Sequence, residues 1–152
     1  MKQPESLFPV FLKLTGRKVV LVGGGTVATS KLDALLDTGA TVTVVAPQIT
    51  RKIASSNAVI KRRGFEPGDL NAAWLVVAAA PPAVNREVSR AAESRNLFVN
   101  AVDDPPNASV YLGGVVRRSG VTVAISTDGQ QWKSAVVLEK DPGEYSLSLI
   151  HI

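Results

Sequence analysis

Short apolar runs alternate with amphipathic stretches from residue 18 to residue 102. The run Lys18-Val19-Val20-Leu21-Val22 does not alternate with polar positions, which is typical of a strand buried on both faces of a parallel sheet. Similar runs predict five strands, at 18–22, 41–45, 58–62, 74–79 and 97–102. Apolar residues at helical spacing predict helices at 26–38 and 81–96, and a short helix at 48–56. This alternation predicts a doubly wound parallel sheet with right-handed crossovers.

The pattern changes after residue 102. Two strand-like runs, 110–117 and 121–126, are joined by Arg118-Ser119-Gly120, which predicts a β-hairpin. Pro105 and Pro106 indicate a boundary near 104–107, and no periodic helix emerges after residue 130. The predicted fold class is therefore α/β: a Rossmann-like doubly wound parallel sheet in 1–104, a partial β-hairpin element in 105–130, and a tail in 131–152.

Composition narrows the possible chemistry. The chain has no cysteine, which excludes a disulfide framework, a thiolate metal site and a cysteine nucleophile. Its one histidine, His151, lies in the last two residues and receives no role, so we predict no metal site.

The net charge is +4 without a continuous basic stripe, and we expect no nucleic-acid partner. No export signal or membrane-length apolar run is visible, so we expect a soluble, cytoplasmic protein.

A glycine-rich loop joins the first predicted strand to the first helix. It reads Gly23-Gly24-Gly25-Thr26-Val27-Ala28, which matches the pattern G-x-G-x-x-A. A pyrophosphate must approach the backbone closely at a helix N-terminus, and glycine leaves room for it. A purely structural turn is the alternative, but the flanking strand and helix favour a dinucleotide site. No lysine follows the loop as in a Walker A motif, so ATP binding is disfavoured.

The second predicted strand ends without an acidic residue. It continues into Val45-Ala46-Pro47-Gln48, where a carboxylate would otherwise hold the ribose 2′-hydroxyl of NAD. The residues alone therefore leave the choice between NAD and NADP open.

Polar residues follow the fifth predicted strand. Asn100-Ala101-Val102-Asp103-Asp104 reaches the carboxyl edge of the sheet, where ligands bind in such folds. A carboxylate there is a candidate proton acceptor for a hydride-transfer reaction, and a polar turn before Pro105 explains the residues equally well. Ser126-Thr127-Asp128-Gly129 offers hydroxyls and amides for a substrate carboxylate, or simply a turn.

Basic residues form two short groups, Lys61-Arg62-Arg63 and Arg117-Arg118. We favour solvated strand ends for both. A polyanionic small substrate is the functional alternative.

Taken together, the ordered motifs resemble the precorrin-2 dehydrogenase family, the N-terminal module of siroheme synthase. The resemblance covers about 7–130 and rests on the segments 8–12, 22–28, 42–47, 100–103 and 115–127. It implies NAD as cofactor and the oxidation of precorrin-2 to sirohydrochlorin, with insertion of ferrous iron as a second activity in some members. It also implies a homodimer for the full-length family member. An Ala-Pro turn after the second strand is typical of this family.

The resemblance assigns roles to individual residues. Asp103, in the segment Asn100-Ala101-Val102-Asp103, matches the family's functional aspartate and is the catalytic candidate. The implied NAD contacts are Gly23, Gly24, Gly25, Thr26, Val27, Pro47 and Gln48. The implied tetrapyrrole contacts are Asn100, Arg117, Arg118, Ser126 and Thr127.

The family pattern stops near Gln130, where Gln131-Trp132 replaces the Ser-Pro and helix that complete the dimerisation region. The last six residues, 147–152, resemble a translated sequencing adapter, and we interpret the chain as a truncated reading frame with a foreign tail. A regulatory module that binds NAD(H) without chemistry is the alternative function, because it needs no carboxylate at Asp103.

Overall fold

Two units make up the chain. The structure is a computed structural model that describes residues 6–126 in full and the backbone of residues 134–141 and 144–151. One unit is Phe8–Val110, and the other combines Met1–Leu7 with Tyr111–Ile152.

The first unit is a five-stranded parallel sheet flanked by helices, as the sequence predicted. The strand order is β3-β2-β1-β4-β5. The strands are β1 (Lys18–Val22), β2 (Thr41–Val45), β3 (Val59–Lys61), β4 (Leu75–Ala78) and β5 (Phe98–Ala101). The helices are α1 (Thr26–Leu36), α2 (Arg51–Ala54) and α3 (Pro82–Glu93), with 3-10 turns at Pro67–Leu70 and Pro105–Asn107. None of the helices in the described part of the chain has the length and apolar character needed to cross a membrane.

Both faces of the sheet are covered, which explains the continuous apolar runs. Successive strand residues point to opposite faces. Val19 and Leu21 of β1 therefore pack in a core with α1 and α2, whereas Val20 and Val22 pack in a second core with α3. Ala28 of α1 is fully buried, as expected where a helix lies directly on a strand.

The helices are shorter than predicted at their carboxyl ends. The predicted helix 26–38 ends at Leu36, and the amides of Thr38 and Gly39 turn back to the carbonyls of Leu35 and Leu36. The predicted helix 81–96 ends at Glu93, and the left-handed backbone of Asn96, with φ of 54°, cannot continue it. The last apolar residues of the two patterns, Leu36 and Ala92, lie within the helices, and the polar residues predicted to extend the helices beyond Leu36 and Glu93 form turns instead.

The second unit contains the predicted β-hairpin. Strands β6 (Gly114–Arg118) and β7 (Val121–Ile125) pair antiparallel, with Val116 opposite Val123. Ser119 and Gly120 both have positive φ, as a tight hairpin turn requires. Within 131–152, strands β8 (Ser134–Asp141) and β9 (Glu144–His151) form another antiparallel pair.

A buried carboxylate organises the basic group at the end of β3. Asp69 is 2% exposed, and its oxygens accept from Lys61 Nζ at 2.8 Å and from the Arg63 guanidinium at 2.6 and 2.8 Å. The amide of Glu66 donates to the same carboxylate at 3.0 Å. The interpretation of Lys61 and Arg63 as a solvated strand end is therefore wrong, because both side chains hold the turn that contains Asp69. Only Arg62, between them, is exposed.

These hydrogen bonds change the acidity of the cluster. Hydrogen bonds from Arg63, and then from Lys61, hold the pKa of the Asp69 carboxyl well below its usual range against the opposing effect of burial. The hydrogen bond to Asp69 in turn raises the pKa of Arg63. Since the folded pKa is lower than the unfolded one, Asp69 stabilises the fold above the unfolded pKa of about 4 and loses this contribution as the pH falls.

We predict that Asp69→Asn lowers the free energy of unfolding by about 3 kcal/mol at pH 7, because two cations lose their charged partner in a partly buried site. Urea unfolding at pH 7 and at about pH 3 measures this, and the difference between the variant and the wild type should shrink at the lower pH, which is below the unfolded pKa. Asp33→Asn is the matched control, since Asp33 pairs with Lys52 where both side chains are exposed, and it should cost below about 1 kcal/mol. Equal losses in the two variants would contradict the assignment.

Candidate functional site

The glycine loop touches two neighbouring loops through its backbone. A Cβ on Gly23 would lie 2.1 Å from the carbonyl oxygen of Ala79, and one on Gly24 would lie 1.9 Å from that of Gln48. Gly23 also has φ of 129°, a conformation that residues with side chains avoid. Gly23 and Gly24 are therefore required for the fold itself.

Gly25 is different, because nothing in the fold requires glycine there. Its φ of −86° and ψ of −162° suit any residue, and a Cβ would meet no atom within 4 Å. Gly25 is the N-cap of α1, where no side chain caps the helix. The first amides of a helix, here those of Thr26 and Val27, have no intrahelical acceptor. An open space at an uncapped helix N-terminus fits a pyrophosphate group.

The loop after β2 lies against the glycine loop. The amide of Thr50 donates to the carbonyl of Gly24 at 3.0 Å, and the hydroxyls of Thr29 and Thr50 lie 2.8 Å apart. Pro47 and Gln48 are exposed beside this contact. The structure thus brings together the residues that were predicted to contact the cofactor, from Gly23 to Val27 and at Pro47 and Gln48.

Sequence patterns did not single out the two threonines. Thr29 Oγ1 donates to the carbonyl of Gly25 at 2.8 Å, and Thr50 caps α2 by accepting from the amide of Ile53 at 3.3 Å. A capping hydroxyl before the short helix was a usable signal for Thr50. The contact between the two hydroxyls depends on tertiary structure, so a local pattern could not predict it.

The loop after β4 forms the other side of the crevice. The amide of Ala79 donates to the carbonyl of Val22 at 2.8 Å. The side-chain oxygen of Asn85, a buried residue of α3, accepts from the amide of Ala80 at 2.9 Å. In a trans peptide the carbonyl points away from the following N–H, so this bond directs the Ala79 carbonyl towards Gly23. The crevice between β1 and β4 is where the strand order reverses, the usual ligand position in such sheets.

Asp103 lies beyond the carboxyl end of β5. It is exposed, and its backbone is left-handed with φ of 57°, which aspartate tolerates better than most residues. The amide of Val102 donates to Ala78 of β4 at 2.9 Å, which fixes the start of this turn. Strand β5 lies two strands from β1, or about 10 Å. Asp103 is thus at the same edge of the sheet as the glycine loop.

The residues around Asp103 have structural partners. Asp104 accepts from Asn107 Nδ2 at 2.8 Å. Asn100 is buried, and its Nδ2 donates to the carbonyl of Val110 at 3.1 Å, which holds the segment after β5 against the strand. This hydrogen bond gives Asn100 a role in the fold, and its role towards substrate stays a prediction.

The remaining predicted substrate residues belong to the second unit. Arg117 and Arg118 are consecutive in β6, so their side chains lie on opposite faces of the hairpin. Ser126 is exposed just after β7, and Thr127 lies outside the described residues. Within the described part of the chain, no group of three or more His, Cys, Asp or Glu side chains could hold a metal ion.

Comparisons with known proteins agree with this geometry. A family model described as "Putative NAD(P)-binding" matches residues 10–114. The siroheme synthase of Methylobacillus flagellatus is 43% identical over 126 residues, which is 80% of this chain and 27% of that protein. The siroheme synthase of Xylella fastidiosa is 42% identical over 131 residues, covering 82% and 28% respectively. The chain therefore spans about a quarter of the length of these relatives.

A solved structure is also similar to most of the chain. It is "SirC, precorrin-2 dehydrogenase", which superimposes with a TM-score of 0.71 at 30% identity and covers 82% of this chain and 64% of that one. The family model spans well over half of the chain, and its residues include the glycine loop, the crevice and Asp103. The chain belongs to this NAD(P)-binding family and is related to the siroheme synthases.

Proposed function

We propose that this chain is the dehydrogenase portion of a precorrin-2 dehydrogenase, which oxidises precorrin-2 to sirohydrochlorin with NAD as hydride acceptor. The observation that carries the proposal is the open, uncapped space at Gly25, at the same sheet edge as Asp103. The similarity to siroheme synthases and to a precorrin-2 dehydrogenase structure supports the choice of substrate.

The glycine loop provides the binding half of the site. The amides of Thr26 and Val27 are donors for a pyrophosphate, and the partial positive charge of the α1 N-terminus favours its negative charge. The hydrogen bonds of Thr29 and Thr50 hold the loop after β2 in place, so this half of the site is formed before any ligand arrives. Preorganised donors bind an anion without the cost of ordering a loop.

The reaction removes two hydrogens from the substrate. NAD⁺, when bound at the glycine loop, would supply the hydride acceptor, and the second hydrogen would leave as a proton to a base of this chain. Asp103 is our candidate for this base, or for positioning the substrate at the sheet edge. Its carboxylate is exposed at the sheet edge, where a substrate has access to it.

The substrate carries many carboxylates, and basic residues of the hairpin suit them. Arg117 and Arg118 offer planar guanidinium groups that bind carboxylates with two hydrogen bonds each. We assign these arginines, together with Asn100, Ser126 and Thr127, to the tetrapyrrole.

We predict that Gly25→Val weakens cofactor binding without harming the fold. The new side chain would occupy the space left for pyrophosphate, while the backbone angles allow any residue. Fluorescence titration should show NADH affinity lower by at least about tenfold, with the free energy of unfolding changed by less than about 1 kcal/mol. Gly114→Val is the matched control, because a Cβ there also meets nothing within 4 Å. Undiminished NADH binding by Gly25→Val would contradict the assignment of the glycine loop to the cofactor site.

We also predict that Asp103→Asn lowers precorrin-2 oxidation by about a hundredfold or more while NADH binding stays within about twofold of wild type. Formation of sirohydrochlorin, followed by absorbance with NAD⁺ present, measures the rate. Asp104→Asn, at the neighbouring carboxylate held by Asn107, is the control and should retain activity. Full turnover by Asp103→Asn would exclude Asp103 from the mechanism. Tight NADH binding by a wild type that never turns over would favour the regulatory alternative.

The hairpin supports a homodimer. A two-stranded hairpin is only marginally stable by itself. Leu112 and Val115, in this part of the chain, expose 39% and 45% of their surface. We assign 105–130 to the start of the dimerisation region and expect a full-length family member, in which this region is complete, to sediment as a homodimer. A monomer at every concentration would contradict this assignment.

A further inference from the structure

The peptides on both sides of Gly25 are held by residues outside the glycine loop. The carbonyl of Gly24, on one side, accepts from the amide of Thr50 at 3.0 Å. The carbonyl of Gly25, on the other side, accepts from the Thr29 amide at 2.9 Å and from the Thr29 hydroxyl at 2.8 Å. The Thr29 hydroxyl also lies 2.8 Å from that of Thr50. Thr50, in the loop after β2, is therefore connected to both peptides.

The two threonine hydroxyls can arrange their protons in one order only. A hydroxyl has a single proton, and that of Thr29 goes to the carbonyl of Gly25, which can only accept. In the contact between the two hydroxyls, Thr50 is therefore the donor and Thr29 the acceptor. The Thr50 oxygen also accepts from the Ile53 amide at 3.3 Å. A directed chain of hydrogen bonds thus runs from the start of α2 to the carbonyl of Gly25.

This chain of hydrogen bonds determines where the Thr26 amide points. The Gly25 carbonyl and the Thr26 amide belong to one trans peptide, so they point in opposite directions. Because the carbonyl is held towards Thr29, the amide is directed out of the helix, at the end where Gly25 leaves open space. As the first amide of α1, it has no acceptor within the helix.

The glycine at position 25 makes this support necessary. Glycine leaves room for a phosphate, but it has more backbone freedom than any other residue, so the peptides beside it rotate more easily. No side chain in the described part of the chain caps α1 and limits this rotation. Thr29 and Thr50, both half-buried, restrain the two peptides through their carbonyls, and the space at Gly25 stays open.

We propose that Thr29 and Thr50 are positioning residues for the cofactor: their hydroxyls fix the Gly25 peptide and so aim the Thr26 amide at the pyrophosphate, without touching the ligand themselves. The proposal rests on the proposed dinucleotide site and adds two residues on which its affinity depends. Donors that are already in place bind an anion without the cost of ordering them. Loss of either hydroxyl should therefore weaken every ligand that carries the pyrophosphate.

Fluorescence titration of the full chain with NADH tests this on Thr29→Val, which removes the hydroxyl and leaves the cap of α2 in place. We expect the dissociation constant for NADH to rise roughly fivefold, as for the loss of a neutral hydrogen bond. ADP-ribose carries the pyrophosphate without nicotinamide, and its affinity, measured by displacement of NADH, should fall by the same factor. Thr29→Ser keeps the hydroxyl and should bind both ligands within about twofold of wild type.

A double variant distinguishes one chain of hydrogen bonds from two independent contacts. Thr50→Val should weaken NADH binding by no more than Thr29→Val does, because Thr50 acts on Gly25 through Thr29. The variant that carries both substitutions should therefore bind NADH like Thr29→Val alone. Losses that multiply in the double variant would overturn the role assigned to the Thr50 hydroxyl.

Thr38→Val is the matched control for Thr29→Val. The Thr38 hydroxyl donates to the Leu35 carbonyl at 2.6 Å beyond the carboxyl end of α1, and Thr38 is half-buried like Thr29. Its loss should lower the midpoint of urea unfolding as the loss of the Thr29 hydroxyl does, but leave NADH affinity unchanged.

Three results would overturn the proposal and leave the proposed function intact: undiminished affinity in Thr29→Val, an equal loss of affinity in Thr38→Val, or a loss that Thr29→Ser shares. A wild type that binds neither NADH nor ADP-ribose would overturn the proposed function itself.

Discussion

Three backbone segments meet at the carboxyl ends of β1, β2 and β4 with no space for a side chain between them. Gly23 faces the carbonyl of Ala79, and Gly24 faces that of Gln48, so closely that any Cβ at either position would overlap a carbonyl oxygen. Hydrogen bonds then fix the three loops to one another. Gly25, one residue later, is left with open space at the start of α1. Two glycines thus form the crevice by packing, and the third leaves it accessible to a ligand.

The sheet could be predicted because burial on both faces imposes a simple pattern. The bounds of β1 and β2 agree with the predicted runs 18–22 and 41–45, since the apolar residues of each strand lie in one of two cores. The third strand is shorter than its predicted run 58–62, because the chain turns where Lys61 and Arg63 bind Asp69. A carboxylate in a loop gives no sequence signal of burial, so its partners were assigned to solvent.

The parts of the candidate site also differ in how far the sequence could predict them. The glycine loop is local in sequence, and its motif identified the cofactor half directly. The contact of Thr29 with Thr50 and that of Ala80 with Asn85 depend on how distant segments pack, and no local pattern specifies them. The substrate half rests on the resemblance to a family, because a turn explains the residues around Asp103 as well as a catalytic role does.

The central claim is that the space at Gly25 receives the pyrophosphate of a nicotinamide dinucleotide. The most direct test is a crystal structure of the chain grown with NAD⁺. We expect pyrophosphate oxygens within about 3 Å of the amides of Thr26 or Val27, with the adenine ribose over the end of β2. A dinucleotide bound elsewhere on the chain, with no phosphate at the α1 N-terminus, would contradict the account.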